Sequence, residues 1–402
     1  MSMVRPRRHP HAVIRAWARR ASGVNRLRRS DHRTVRIDMR RILLMATVVI
    51  VAAAGLGAGA YVVGRGDEAS TSDALDEALR NLETADIPLV GLGEASPPPP
   101  LQTGWQTNFA KRLVPLSEFQ SGGPGKDGIP SIDAPRFAPA SEIRFLRPPE
   151  PVIELTVGKT VRGYPIQILI WHEIANDTVG GVPVAVTFCP LCNTALVFDR
   201  RVQGRTLDFG VSGNLRNSDL VMYDRQTESW WQQFGGRALV GDLAGMRLRQ
   251  LASRIVSWEQ FKREHPNAEV LTRETGTPRS YGSNPYVGYD DVSSPPFFAT
   301  KNSGDSRLQP KERVVFLEHG KETAAVPHST LERKKVVRVK LGGATYVVRA
   351  RTRVASALDD GTIANGRKVL TADVRVNGKP AAFTEPFWFA VAAFRPDTRI
   401  IR

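Results

Sequence analysis

Residues 152–188 (VIELTVGKTVRGYPIQILIWHEIANDTVGGVPVAVTF) lie over residues 314–350 (VVFLEHGKETAAVPHSTLERKKVVRVKLGGATYVVRA) without a gap, at an offset of 162. Nine of the 37 positions are identical, among them Leu155 with Leu317, Gly158-Lys159 with Gly320-Lys321, Pro165 with Pro327, Leu169 with Leu331 and Gly180-Gly181 with Gly342-Gly343. Glycine admits positive φ and proline fixes φ, so matches of this kind preserve turns, while the leucines preserve core positions. The pattern points to a duplicated fold unit; chance likeness between two β-hairpins is the bland alternative. Duplication implies two pseudo-equivalent halves, near 140–250 and 310–395, joined by a helix and the Tyr/Gly/Pro loop YGSNPYVGYDD.

Around and within the first copy, short apolar runs alternate with turn residues: VIELTV, VPVAVTF, TALVFD, RTLDFGVSG, DLVMYD and SWWQQF. This spacing predicts strands. One clear helix interrupts them at Ser257 to Glu264, where Ser257 and Gln260 form a capping-box pattern, and a shorter one follows Pro165 in PIQILIWHE. Residues 105–137 are rich in glycine and proline and read as a long ordered loop. The fold class is therefore α+β, mainly antiparallel β with few helices and a barrel- or sandwich-like core.

The formal charge of +16 suggests an acidic partner until its location is considered. Residues 1–41 carry thirteen arginines against Asp31 and Asp38, a net +11, which leaves +5 for the remaining 361 residues. The basicity belongs to a tail, and no nucleic-acid partner is expected. Residues 42–63 (ILLMATVVIVAAAGLGAGAYVV) contain no charge and are long enough to cross a bilayer core of ~30 Å as a helix. Cationic residues stay on the cytoplasmic side, which predicts a single-pass inner-membrane protein with its N-terminus inside and its body periplasmic or extracytoplasmic. Ala58-Gly59-Ala60 resembles a cleavage site and Arg40-Arg41 loosely resembles a twin-arginine signal, so a cleaved segment is the competing reading. Residues 64–104 form a spacer, with an acidic helix at Ser72 to Asp86 and the extended run ASPPPP, and residues 105–402 form the β-rich domain.

The repeat separates folding from chemistry. Opposite Trp171-His172-Glu173 stand Arg333-Lys334-Lys335, and opposite Cys189 and Cys192, the only cysteines, stand Arg351 and Val354. The first copy alone thus carries an imidazole, a carboxylate and two thiols. Cys189, Cys192, His172 and Glu173 suit copper or zinc, since thiolate and imidazole ligate both. The Cys-x-x-Cys pair also suits a redox dithiol, although no helix follows it to lower a thiol pKa as in thioredoxin-like sites. As a structural staple it would close so short a loop that it contributes only about 2 kcal/mol. Arg216, Asn217, Asp219 and Trp231 are further ligand-contact candidates. Asp219 and Asp224 point to opposite faces of one strand and read as strand-end residues, and of Trp230 and Trp231 one ring is expected in the core and one exposed. His265, His319 and His328 are expected at the surface. No G-x-S-x-G elbow, G-x-x-x-x-G-K-S/T phosphate loop or H-E-x-x-H pattern occurs.

The text WHEIANDTVGGVPVAVTFCPLCNTALVFDRR, followed by DFGVSGNLRNSDLVMYDRQTESWWQQ, resembles the bacterial and archaeal family called domain of unknown function 3179. The likeness runs from about Asn108 to FWFAVAAFRPDT near the C-terminus. It implies the domain limits and an envelope setting, and it brings no established activity or cofactor. The expectation is a membrane-anchored extracytoplasmic protein whose Cys-x-x-Cys site binds a transition metal or cycles with a redox partner. The alternative is a non-enzymatic envelope module, for binding or assembly, with a structural cysteine pair.

Overall fold

Proline and paired glycines set the shape of each half, and the chain can be followed through both in a computed structural model that describes residues 104–402. All of these belong to one contact unit. The first half begins with a hairpin, β1 (Pro151–Val157) and β2 (Thr160–Pro165), followed by α1 (Ile166–His172). An antiparallel meander follows: β3 (Ile174–Val179), β4 (Val182–Cys189) and β5 (Thr194–Asp199). A second meander holds β6 (Phe209–Arg216), β7 (Asp219–Asp224), β8 (Trp230–Gln232) and β9 (Arg237–Val240). β10 (Ser253–Ser257) returns to pair with β1, α2 (Trp258–Glu264) follows, and β11 (Glu269–Leu271) lies parallel to β2.

The second half repeats this plan. β12 (Val314–His319), β13 (Glu322–Pro327), α3 (His328–Lys334), β14 (Val336–Leu341) and β15 (Ala344–Ala355) follow the first copy at the same offset. β16 (Lys368–Val376) pairs with β15, then α4 (Trp388–Phe394) leads to β17 (Arg399–Ile400), which lies parallel to β13 as β11 does to β2. Trp258 and Pro266 correspond to Trp388 and Pro396 at a smaller offset, which an ungapped comparison misses. The first half is longer because it carries the β6–β9 meander.

The matched residues hold matched geometry. Pro165 and Pro327 stand where strand gives way to helix, with φ of −62° and −58°. Both helices end at a left-handed residue, Glu173 at φ 58° and Lys335 at φ 61°, whose N–H bonds to Leu169 or Leu331. Gly180-Gly181 (55° and 79°) and Gly342-Gly343 (55° and 74°) form the two-residue turns with positive φ that match strand twist. Ser257 caps α2, its Oγ accepting from the Gln260 N–H at 3.1 Å, as its capping box predicts.

The chain is mainly antiparallel β with four α-helices among the described residues. The strands divide among five sheets of three to five strands and a two-stranded ribbon, so they do not form one continuous barrel sheet. Neither α3 nor α4 stands out from its own residues. WFAVAAF in α4 has no polar face because all but Phe394 is buried, which leaves no 3.6-residue period to read. The largest core cluster joins the halves, with Leu169, Phe188, Trp231, Phe316 and Trp388 among its members. No helix among the described residues is long and apolar enough to cross a membrane, and the segments 42–63 and 72–86 lie outside those residues.

Candidate functional site

The Cys-Pro-Leu-Cys run is the turn of a hairpin. Cys189 ends β4 opposite Thr194 of β5, and Cys192 lies in the turn between them, with no helix following. In the second half β15 continues through the matching positions to Ala355. The turn is braced from outside its own half: the Phe387 N–H donates to Cys192 O at 2.9 Å, Asn193 Nδ2 to Glu385 O at 2.7 Å and the Tyr289 hydroxyl to Leu191 O at 2.8 Å. The two thiols are free and buried at the seam between the halves and the loop that joins them.

The inserted meander supplies a third group. Arg216 and Asp219 flank a two-residue turn, Asn217-Ser218, with φ of 52° and 58°. Glu173 and Asn193 near this site are likewise non-glycine residues held left-handed. The turn sends Asp219 into the interior, where Oδ1 accepts from Cys192 Sγ at 2.8 Å and Oδ2 accepts from Gln232 Nε2 at 2.5 Å and the Phe234 N–H at 2.9 Å. Cys192 Sγ also lies 2.9 Å from Thr194 Oγ1, which donates to Gln233 Oε1 at 2.7 Å, and Gln233 Nε2 donates to Thr187 at 2.9 Å. One ligating atom each from Cys189, Cys192 and Asp219 lies within 4.8 Å of the others.

Burial dominates the electrostatics. It pushes both thiols up, Cys192 furthest, and neighbouring Asp219 adds to the rise of each. Asp219 rises to about 6 through burial, against the hydrogen bonds that hold it down. Glu173 rises to about 8 through burial and then Asp219, and no hydrogen bond is among the causes. Tyr286 is raised well above its ordinary value by burial, then by Glu173 and Cys189.

Four expectations need correction. His172 is turned away from the cluster: Nδ1 meets Pro130 O at 2.7 Å and Nε2 meets the Tyr281 hydroxyl at 2.6 Å. A nitrogen facing a carbonyl must donate, so Nε2 accepts from Tyr281, and burial keeps the ring below its usual pKa. Asp219 is more than a strand-end residue, since it completes the group in place of His172. Trp230 and Trp231 are both fully buried, and Trp231 Nε1 donates to Asp224 Oδ2 at 2.9 Å, so neither ring offers a ligand surface. His328 is buried beside Glu385 at 3.2 Å, whereas His319 is exposed.

Arg216 and Asn217 stand one step outside. Arg216 Nη1 reaches Gln232 Oε1 at 3.3 Å and its Nε reaches Glu118 at 2.7 Å, while Asn217 Oδ1 accepts from the Lys301 N–H at 3.0 Å. Thr194, Gln232, Gln233 and Tyr289 escaped the reading of the residues. The two amides in SWWQQF were the available signal, because an apolar strand buries glutamines only when they have partners.

A family model described as "Protein of unknown function (DUF3179)" matches residues 126–398, more than half of the chain. The chain belongs to the DUF3179 family. No curated protein and no solved structure matches it. The DUF3179 region contains both copies of the repeat, the inserted meander and every residue of the Cys189–Cys192–Asp219 cluster.

Proposed function

We propose that this DUF3179 protein holds a transition-metal ion, zinc or copper, at Cys189, Cys192 and Asp219, in a domain anchored by residues 42–63 and facing out of the cytoplasm. The observation that carries the reading is the convergence of two thiols and a carboxylate, all buried, within 4.8 Å. Bonds of about 2.0–2.3 Å to a tetrahedral ion set ligand atoms somewhat under 4 Å apart, so modest side-chain adjustment closes the cluster. Two soft sulfurs and one carboxylate suit zinc or copper better than magnesium or calcium, which prefer oxygen alone. The anchor rests on the arginine-rich tail and the uncharged 22-residue segment.

Metal analysis of the purified full chain tests the site. One ion per chain, lost in Cys189→Ser, is expected; a wild-type chain that takes up neither zinc nor copper(I) after reduction refutes it. Fractionation, with protease added from outside the inner membrane, tests the anchor, and a body protected from that protease overturns the topology.

The 2.8 Å contact from Cys192 to Asp219 favours a second reading, a dithiol. Asp219 would take the Cys192 proton while the pair exchanges with a partner protein's disulfide, which leaves as two thiols as the Cys189–Cys192 bond forms. Thiol counts before and after incubation with a disulfide oxidant separate the two. A pair that oxidises readily and holds no metal supports the dithiol, and a pair inert in both assays leaves the envelope-module alternative.

A further inference from the structure

We infer that the ion at this site is divalent and that Glu173 supplies its fourth ligand, giving a two-sulfur, two-oxygen site of the zinc class. The inference rests on the metal reading above and goes beyond it in ligand set and ion charge.

Glu173 is the remaining acid coupled to the cluster, raised by burial and then by Asp219 and itself adding to the rise of Cys189; its carboxylate stands outside the 4.8 Å group and turns in to bind. Its backbone is tied beside the thiols, because its carbonyl accepts the N–H of Phe188, the residue before Cys189, at 2.8 Å. The residue is 8% exposed. At the matching position of the second copy the same left-handed backbone carries Lys335, which is exposed. The duplicated scaffold therefore fixes the backbone in both halves, and only the first half covers the position and places an acid there.

A buried acid normally has a cation beside it. Elsewhere in this fold Glu154 pairs with Arg254, Asp177 with Arg162, and Asp290 with Arg313 and Arg367, while buried Asp224 and Glu150 are held by hydrogen bonds, which Glu173 lacks. Among the described residues no ion pair engages Glu173 or Asp219, and neither lysine nor arginine is among the largest influences on either carboxyl or either thiol. The cluster holds four acids and no counter-cation. A divalent ion meets that deficit: two thiolates and two carboxylates around it leave two net negative charges, the balance of a four-cysteine zinc site. A monovalent ion would leave three, and copper(I) is satisfied by the two thiolates alone, with no use for either carboxylate.

The test titrates reduced, metal-free full-length protein with zinc, cobalt(II) and copper(I), comparing wild type with Glu173→Gln and Glu173→Lys. Gln is isosteric and Lys335 shows that lysine fits this backbone, and thermal unfolding of each variant verifies that it folds. Expected in wild type are two sulfur and two oxygen or nitrogen ligands by X-ray absorption, and a tetrahedral cobalt spectrum with thiolate charge transfer. Glu173→Gln should keep the charge transfer but weaken zinc about tenfold or more, and Glu173→Lys, which brings its own cation, should bind no zinc. Zinc affinity and ligand count unchanged in Glu173→Gln overturn the inference, as does a wild type that takes copper(I) but not zinc; in both cases the metal reading stands. A wild type that binds none of the three metals sinks the metal reading itself.

Discussion

Replacing Glu173 by glutamine should stabilise the metal-free protein by an amount that grows with pH. Burial and Asp219 raise the Glu173 carboxyl from 4.5 to about 8 in the folded state. Below the lower value both folded and unfolded chains hold the proton, and the fold bears no cost. Between the two values the unfolded chain is ionised while the folded one keeps its proton, so each rise of one pH unit removes about 1.4 kcal/mol of stability. Above the upper value both forms are ionised and the loss levels off. Glutamine is neutral throughout and escapes the loss, so the variant should lead by under about 1 kcal/mol near pH 5 and by on the order of 3 kcal/mol near pH 7. Asp219, raised to about 6, shifts stability in the same direction in both proteins and largely cancels from the comparison. Urea unfolding with chelator and reductant present reads the difference from the midpoints, provided the slope m is unchanged. A lead that is equal at the two pH values, or a wild type that is the more stable near pH 7, would refute the reasoning. Saturating zinc should narrow the lead, because the variant then lacks a ligand and each tenfold loss of affinity offsets about 1.4 kcal/mol.

The repeat makes its own predictions. Leu169→Ala and Leu331→Ala, both at fully buried matched positions, should each cost about 2–5 kcal/mol in denaturant unfolding; a negligible loss for one of them would deny that the copies are equivalent. Gly180→Ala should cost more than Gly342→Ala. Both pay the left-handed penalty of about 1–2 kcal/mol, but the new Cβ at 180 meets the fixed Val157 carbonyl oxygen at 2.6 Å, whereas at 342 it meets the ring of exposed His319, which can swing aside. Equal unfolding midpoints for the two variants would contradict this. His172→Ala should leave metal stoichiometry unchanged, since neither ring nitrogen faces the cluster; loss of the ion in that variant would restore His172 as a ligand.

Much of the fold was legible because its turns are made by residues with few alternatives. Gly180-Gly181, Pro165 and the Ser257 cap announce themselves by chemistry, and the repeat confirms the glycine pair and the proline by a second copy. α4 was hidden because burial on every side erases the period that marks a helix. The cysteines were easy to find, and their partners were not. His172 drew attention as the nearest imidazole in sequence, yet a seven-residue helix that ends in a left-handed turn aims it at Pro130 and Tyr281, while the backbone of Glu173, one residue on, is tied to Phe188 beside Cys189. Asp219 is a ligand-contact candidate in the sequence but not a partner of the thiols there, because strand periodicity says which face it takes and not what lies against that face. Only tertiary pairing brings β7 to the Cys-Pro-Leu-Cys turn.

A simple duplication would have produced two such sites, and the reason there is one lies in what was added to a single copy. In the second half Lys335 stands at the Glu173 position, Arg351 and Val354 at the cysteine positions, and no meander corresponds to β6–β9, the source of Asp219, Gln232 and Gln233. The second half nevertheless takes part, because Phe387 and Glu385 hold the backbone of Cys192 and the side chain of Asn193, and Phe316 and Trp388 complete the shared core. One copy carries the two thiols and Asp219, and the other braces their turn. A first half expressed alone would lose those braces and expose the face of its core that meets the second, so it should not retain an ordered cysteine turn. Duplication in this fold thus built the wall against which a single buried site is held.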